Sequence, residues 1–185
     1  GEVLLDGRAT SALAPDELRR RVAMVSQEVH TFAASLGENV SMARPGASAA
    51  EIESALRRVG AEGLLDLPDG MDTAVGEGGH RFTPMEEQLV ALARVEIADP
   101  ELVILDEATA EAGSAGARAL ERAAATVIEG RAALVVAHRL DQARIADNVL
   151  VVERGEVVES GSHEELVAAG GHYAELWSAW DVSMG

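Results

Sequence analysis

The chain has 185 residues, 48% hydrophobic and 25% charged, the composition of a globular domain with one good core or two small subdomains. Fifteen cationic side chains against 32 acidic ones give a net charge of −17, which argues against nucleic acid or an anionic lipid surface as the main partner, since both need a basic footprint. No apolar run approaches ~18 residues, so no segment reads as membrane-spanning, and zero cysteines exclude a disulfide framework and fit a reducing compartment.

Glu2-Val3-Leu4-Leu5 followed by Asp6-Gly7 reads as a short strand entering a turn. Pro15 to Arg20 predicts a short helix, with acids early and arginines late to match the helix dipole. Val22-Ala23-Met24-Val25 has the pattern of a buried strand that hands over to Ser26-Gln27. From about Phe32 to Ala98 the pattern turns helical. Ser48 and Glu51 form an S-x-x-E capping box, after which Ile52, Ala55, Leu56 and Val59 fall at helical spacing. Leu64 to Leu67 reads as a short helix stopped by Pro68. A glycine-rich loop, Gly76-Glu77-Gly78-Gly79, precedes Thr83-Pro84-Met85-Glu86, which combines a capping box with proline at the first helical position. Leu89, Leu92, Ala93 and Ile97 then supply an apolar stripe.

The Leu102-Val103-Ile104-Leu105 run resembles a strand buried on both faces of a parallel sheet, and it stops at Asp106-Glu107. Ser114 opens an alanine-rich helix to about Glu129. Ala132 to Ala137 predicts a further buried strand, ending in His138. Asn148 to Val152 and Glu156 to Glu159 flank Arg154-Gly155 as a hairpin. Ser162 and Glu165 give a third capping box, and Tyr173, Trp177 and Trp180 share one face of the last helix, where they dock it on the core.

Acids are common at strand ends, so Asp106 and Glu107 alone decide nothing. Three separate strands, however, end in Gln27, Asp106-Glu107 and His138, and in open α/β sheets ligands bind beyond the carboxyl ends of the strands. All fifteen cations are arginine. A chain without lysine cannot contain a G-x-x-x-x-G-K-[ST] phosphate loop. The sequence opens on Gly1 with no initiator methionine or signal-like stretch, so it reads as an excised piece whose phosphate loop lies upstream.

These residues resemble the ATP-binding domain of exporter-type ABC transporters over essentially the whole chain. Val25-Ser26-Gln27 looks like the family's Q-loop, Leu102 to Glu107 like its Walker B strand with the catalytic glutamate, and Ala137-His138-Arg139-Leu140 like its switch-histidine loop. Glu159 to Leu166 is similar to the segment that follows it. Asp72 to Gly78 resembles the loop that exporters carry before the signature helix, and Phe32 to Val40 the segment that meets the membrane domain. The resemblance implies ATP and Mg²⁺ as cofactors. It implies that Asp106 holds Mg²⁺ through water, that Gln27 completes the metal's surroundings, that Glu107 polarises the attacking water and that His138 contacts the γ-phosphate.

Two stretches depart from the family. Its L-S-G-G-Q signature, which binds the γ-phosphate of the opposite subunit's ATP, aligns with Phe82-Thr83-Pro84-Met85-Glu86. Thr83 keeps a hydroxyl, but Pro84 has no N–H, Met85 replaces a glycine, and Glu86 and Glu87 add negative charge where an anion should bind. The family's S-A-L-D is Ala110-Glu111-Ala112-Gly113 here. Drift in an inactive copy would explain both changes, but the retained Glu107 and His138 argue against it. The asymmetry implies a heterodimer, with a second ABC subunit of intact signature completing the working site.

The expected fold is α/β, a P-loop NTPase core lacking its N-terminal strands and phosphate loop, with an inserted helical subdomain. Residues 1–31 and 99–185 would form the core and 32–98 the insertion. The first functional reading is ATP hydrolysis powering export, at the cytoplasmic face of a bacterial plasma (inner) membrane. The partners would be the protein's own transmembrane domain, upstream of this chain, and the second subunit, with no nucleic acid. A non-hydrolysing regulatory domain and a soluble ABC ATPase are the alternatives. The piece alone should not hydrolyse ATP, and missing strands should leave core surface exposed.

Overall fold

The computed structural model describes residues 1–26, 28–106, 114–137 and 140–184. It divides into two compact units, Gly1–Val136 and Ala137–Gly185.

The first unit opens with a hairpin, β1 (Leu4–Leu5) and β2 (Arg8–Ala9), turning at Asp6 (φ 50°) and Gly7 (φ 74°). Two consecutive positive φ values define the turn whose twist suits a tight hairpin. Helix α1 (Pro15–Arg21) leads into β3 (Val22–Val25). The strand β4 (Ala34–Ser35) precedes α2 (Leu36–Ser41) and α3 (Ala49–Arg58). Short 3₁₀ turns at Glu62–Asp66 and Gly70–Asp72 then lead to β5 (Ala74–Val75), which pairs antiparallel with β4. After α4 (Pro84–Ala98) come β6 (Leu102–Asp106), α5 (Ser114–Ile128) and β7 (Ala132–Val136).

The sheet is parallel, in the order β3-β6-β7, which interleaves strands with helical crossovers as an α/β core requires. Val25, Val103 and Leu105 are buried in one cluster with Leu89, Val90 and Leu92 of α4 and with Leu120, Ala123 and Val127 of α5. The helix α4 corrects the expected stripe. Val90, Ala91 and Val95 are buried as well as Leu89, Leu92, Ala93 and Ile97, so α4 is enclosed on almost every side. It packs against α2, α3, α5 and β3.

Two strands expected to be buried are less covered than that, β3 at Met24 and β7 throughout. Met24 is 60% exposed, and all five residues of β7 are exposed, with Leu134 at 51%. The register sets Met24 beside Ile104 and Leu134. Side chains alternate between faces, so these three share the face opposite Val103. The exposure of β7 includes Ala133 and Val135, on the same face as Val103 and Leu105, and among the described residues β7 pairs with β6 alone.

Charges brace the unit's ends. Arg131 bonds to Glu96 (3.2 Å), Asp99 (2.8 Å) and the Val127 carbonyl (2.7 Å), and Arg58 pairs with Glu96 at 2.6 Å. Arg21 grips both carboxylate oxygens of Glu101 and also pairs with Asp6, which holds its guanidinium above its ordinary pKa.

In the second unit α6 (Leu140–Ala143) precedes the hairpin β8 (Val149–Glu153) and β9 (Glu156–Gly161), which turns at Arg154 (φ 52°) and Gly155 (φ 85°). The helices α7 (His163–Ala169) and α8 (His172–Met184) follow. Tyr173 and Trp177 pack with Leu140, Ala143, Val149, Val151 and Leu166 in the core of this unit. Glu159 of β9 accepts the backbone N–H groups of His172 and Tyr173 (2.6 and 3.0 Å), satisfying donors at the start of α8.

Among the described residues four helices start with a complete capping box: Ser35/Glu38 on α2, Ser48/Glu51 on α3, Thr83/Glu86 on α4 and Ser162/Glu165 on α7. The first of these obeys the same S-x-x-E rule and was not singled out from the sequence. Hydrogen bonds from the capping serines hold Glu38, Glu51 and Glu165 below their ordinary carboxylate pKa of 4.5. A carboxyl whose pKa is lower folded than unfolded stabilises the fold above the unfolded value, and that contribution disappears as pH falls through the folded one. We therefore expect helical signal to fall progressively below about pH 4.5 in an acid titration followed by circular dichroism. Changing all three acids to Gln should remove that part of the transition. In the core, Leu92→Ala should cost about 2–5 kcal/mol, read as a lowered unfolding midpoint.

Candidate functional site

The parallel strands bring their carboxyl ends level. Val25 lies beside Leu105 and Leu105 beside Val135, while Asp106 lies beside Val136. At that edge the strands lead into Gln27, Glu107 and His138, and those three residues lie outside the described residues. So does the Ala110-Glu111-Ala112-Gly113 stretch. Asp106 is described: it is the last residue of β6 and half-buried. A carboxylate there offers the hard oxygen donor that Mg²⁺ takes while keeping several of its waters, so its chemistry fits that ion.

Thr83, Pro84, Met85 and Glu86, the stretch expected to stand where the family has its signature, form the cap and first turn of α4. The Thr83 N–H and hydroxyl both donate to Glu86 Oε2 (2.7 and 2.9 Å), and Thr83 Oγ1 accepts the Glu86 N–H at 3.3 Å. The Glu87 N–H donates to the Thr83 carbonyl at 3.0 Å. Pro84 has no N–H. Of the backbone donors from Pro84 to Glu87, only the Met85 N–H remains outside these bonds. Met85 packs against the core together with Phe82. Glu86 thus closes a capping box on Thr83 and sets a carboxylate at the start of α4, where its negative charge opposes an external anion.

The loop before α4 is tightly closed. The His80 N–H donates to the Ala74 carbonyl (2.9 Å) and the Gly76 N–H to the His80 carbonyl (3.1 Å). Gly79 has no room for a Cβ against the Ala74 carbonyl, which explains why glycine stands there.

The first turns of α4 also reach the segment that leaves β3. Gln88 Nε2 donates to the Ser26 carbonyl at 3.5 Å, and Thr31 Oγ1 to Glu87 Oε1 at 3.4 Å. Farther along, Arg94 donates to the carbonyls of Asn39 (2.8 Å) and His30 (2.9 Å) and to Asn39 Oδ1 (2.9 Å). Burial pushes its guanidinium pKa down. Neither Arg94 nor Asn39 stood out individually in the sequence, although an arginine inside the apolar Leu89–Ile97 run was the available signal.

A family model described as "ABC transporter" matches residues 1–110, more than half of the chain. The chain belongs to the ABC transporter family. Over 177 residues, 95% of this chain, it is 41% identical to the cyclolysin secretion/processing ATP-binding protein CyaB of Bordetella pertussis. It is also 41% identical, over 178 residues, to the ATP-dependent lipid A-core flippase of Pseudomonas aeruginosa. The solved structure of a bacterial Atm1-family ABC exporter with ATP bound superposes with a TM-score of 0.85 over 97% of this chain, at 33% identity. The chain spans 25% and 30% of those two relatives and 32% of the solved chain. Its fold is that of an ABC ATPase domain, a P-loop NTPase.

For this ABC domain, Thr83→Ala should destabilise the start of α4 by about 1 kcal/mol. Hydrogen exchange would report it as faster exchange at the Glu86 and Glu87 amides.

Proposed function

We propose that this chain is part of the ATP-hydrolysing domain of a membrane exporter, paired with a second, non-identical ABC subunit. The observation that carries this reading is the level ending of β3, β6 and β7, with Asp106 at the tip of the central strand. Membership of the ABC family and the likeness to an exporter with ATP bound support it.

In this reading Asp106 holds Mg²⁺ through water and Gln27 completes the polar surroundings with its side-chain amide. When bound, the ion offsets the charge on the phosphates. Glu107 orients and polarises the attacking water, and His138 contacts the γ-phosphate. Phosphoryl transfer asks mainly for positioning and electrostatic stabilisation, which acids, an amide and an imidazole supply. The phosphate loop and the transmembrane domain belong to polypeptide outside this sequence, and the domain works at the cytoplasmic face of the membrane. Among the described residues no helix is long and apolar enough to cross a membrane.

The self-capped start of α4 supports the heterodimer. With Glu86 seated on Thr83 and Pro84 offering no donor, this subunit is a poor host for the partner's γ-phosphate. It would contribute acid and histidine to one working site and a weak signature to the other, which then holds ATP or turns it over slowly.

In the intact pair, Glu107→Gln should lower steady-state ATP turnover about 10²–10⁴-fold while leaving ATP binding. Near-normal turnover would refute the assignment. The homodimer of this subunit should be a weak ATPase, and vigorous turnover by the purified homodimer would refute the asymmetric pairing.

A further inference from the structure

Arg94 lies in the middle of the most buried helix of the first unit, where a cation needs a reason. Among the described residues no carboxylate pairs with it, whereas the nearby Arg131 is bound to Glu96 and Asp99. Its bonds go instead to oxygens of His30 and Asn39, and its Cζ lies 5.8 Å from the centre of the Phe32 ring. Asn39 is fully buried and fully used. Its Nδ2 donates to the carbonyls of Phe32 and Ser35 (both 3.0 Å), and its Oδ1 accepts from the Phe32 N–H (3.0 Å) as well as from Arg94.

Two side chains thus clamp the 28–33 loop to α4. The same loop is held nearer the strand ends by Thr31 on Glu87, and Gln88 holds the Ser26 carbonyl. At its far side Phe32 is 45% exposed, its ring edge-on to His30. The clamp therefore sits between an exposed aromatic and the segment that leaves β3 for Gln27.

We propose that Arg94 is a positioning residue, which acts through Asn39 to make α4 and the 28–33 loop one rigid piece and so fixes the described residues on either side of Gln27, Ser26 and the 28–33 loop. The planar fork with several fixed donors suits this task, and a lysine's single ammonium cannot bond the His30 and Asn39 carbonyls and Asn39 Oδ1 in the same geometry. The inference rests on the proposed role of Gln27 in ATP hydrolysis.

The test uses the intact exporter pair in membranes, with ATP as the probe, and compares Arg94→Met and Arg94→Lys with Glu107→Gln. Loss of positioning should lower kcat about 10- to 100-fold in Arg94→Met. KM for ATP should stay near that of the unaltered pair, because the lost interaction belongs to the transition state. Arg94→Lys should recover most of the thermal stability but little of the kcat. Asn39→Ala combined with Arg94→Met should be no worse in kcat than either alone, as expected of residues that act as a unit. Overturning results would be an unchanged kcat in folded Arg94→Met, or kcat recovered in Arg94→Lys in step with stability, which would leave only a structural role. If Glu107→Gln itself retains turnover, the proposed function fails. If Glu107→Gln is dead and Arg94→Met is normal, only the positioning role fails.

Discussion

The enclosure of α4 is the constraint on which the rest of the structure depends. Val90, Leu92 and Ala93 have no exposed surface, and the helix touches α2, α3, α5 and β3. Burying a side chain such as Leu92 is worth roughly 1.5–3 kcal/mol, but the greater effect is geometric. A helix packed on all sides cannot shift without disturbing several neighbours, since protein interiors are close-packed. Its N-terminus is therefore fixed close to the residue that leaves β3, as the Gln88–Ser26 contact records. The residue after β3 and the first turns of α4 form one arrangement because a single helix is held against both core and strand.

Two arginines of this unit solve burial differently. For Arg131, burial works against the charge, yet hydrogen bonds and charges of Asp99 and Glu96 hold the guanidinium above its ordinary pKa. Arg94 has dipoles instead of counter-charges, and burial lowers its pKa. A guanidinium held by carbonyls gains little beyond replacing water, so its usefulness is directional. The first arginine ties α4 to the start of β7, and the second ties α4 to a loop.

Local chemistry in the sequence revealed much of this. Strands, hairpins and three of the four capping boxes follow from short patterns: Asp6-Gly7 and Arg154-Gly155 at positive φ, Ser or Thr three residues before Glu, and Leu102 to Leu105 running into acids. What the sequence hid was environment. The Ala132 to Val136 pattern is that of a strand covered on both faces, and the side chains stand exposed because a pattern records what a strand needs rather than what surrounds it. The stripe of α4 was undercounted for the converse reason, since Val90 and Val95 face neighbours that only the tertiary fold supplies. At the candidate site, the sequence pattern already ends a strand at Asp106, whereas the bonds of Glu86 to Thr83 are seen only in the folded chain. The clamp of Arg94 on Asn39 spans 55 positions and leaves no local periodicity to read.

The open side of β7 has a chemical consequence. A parallel strand with Leu134, Val135 and Val136 in contact with water offers both apolar side chains and a row of backbone groups to any passing extended segment. An unpaired edge of this kind is a template on which another strand can pair. A segment pairing along β7 would cover Leu134, Val135 and Val136 and satisfy that row of backbone groups in one step.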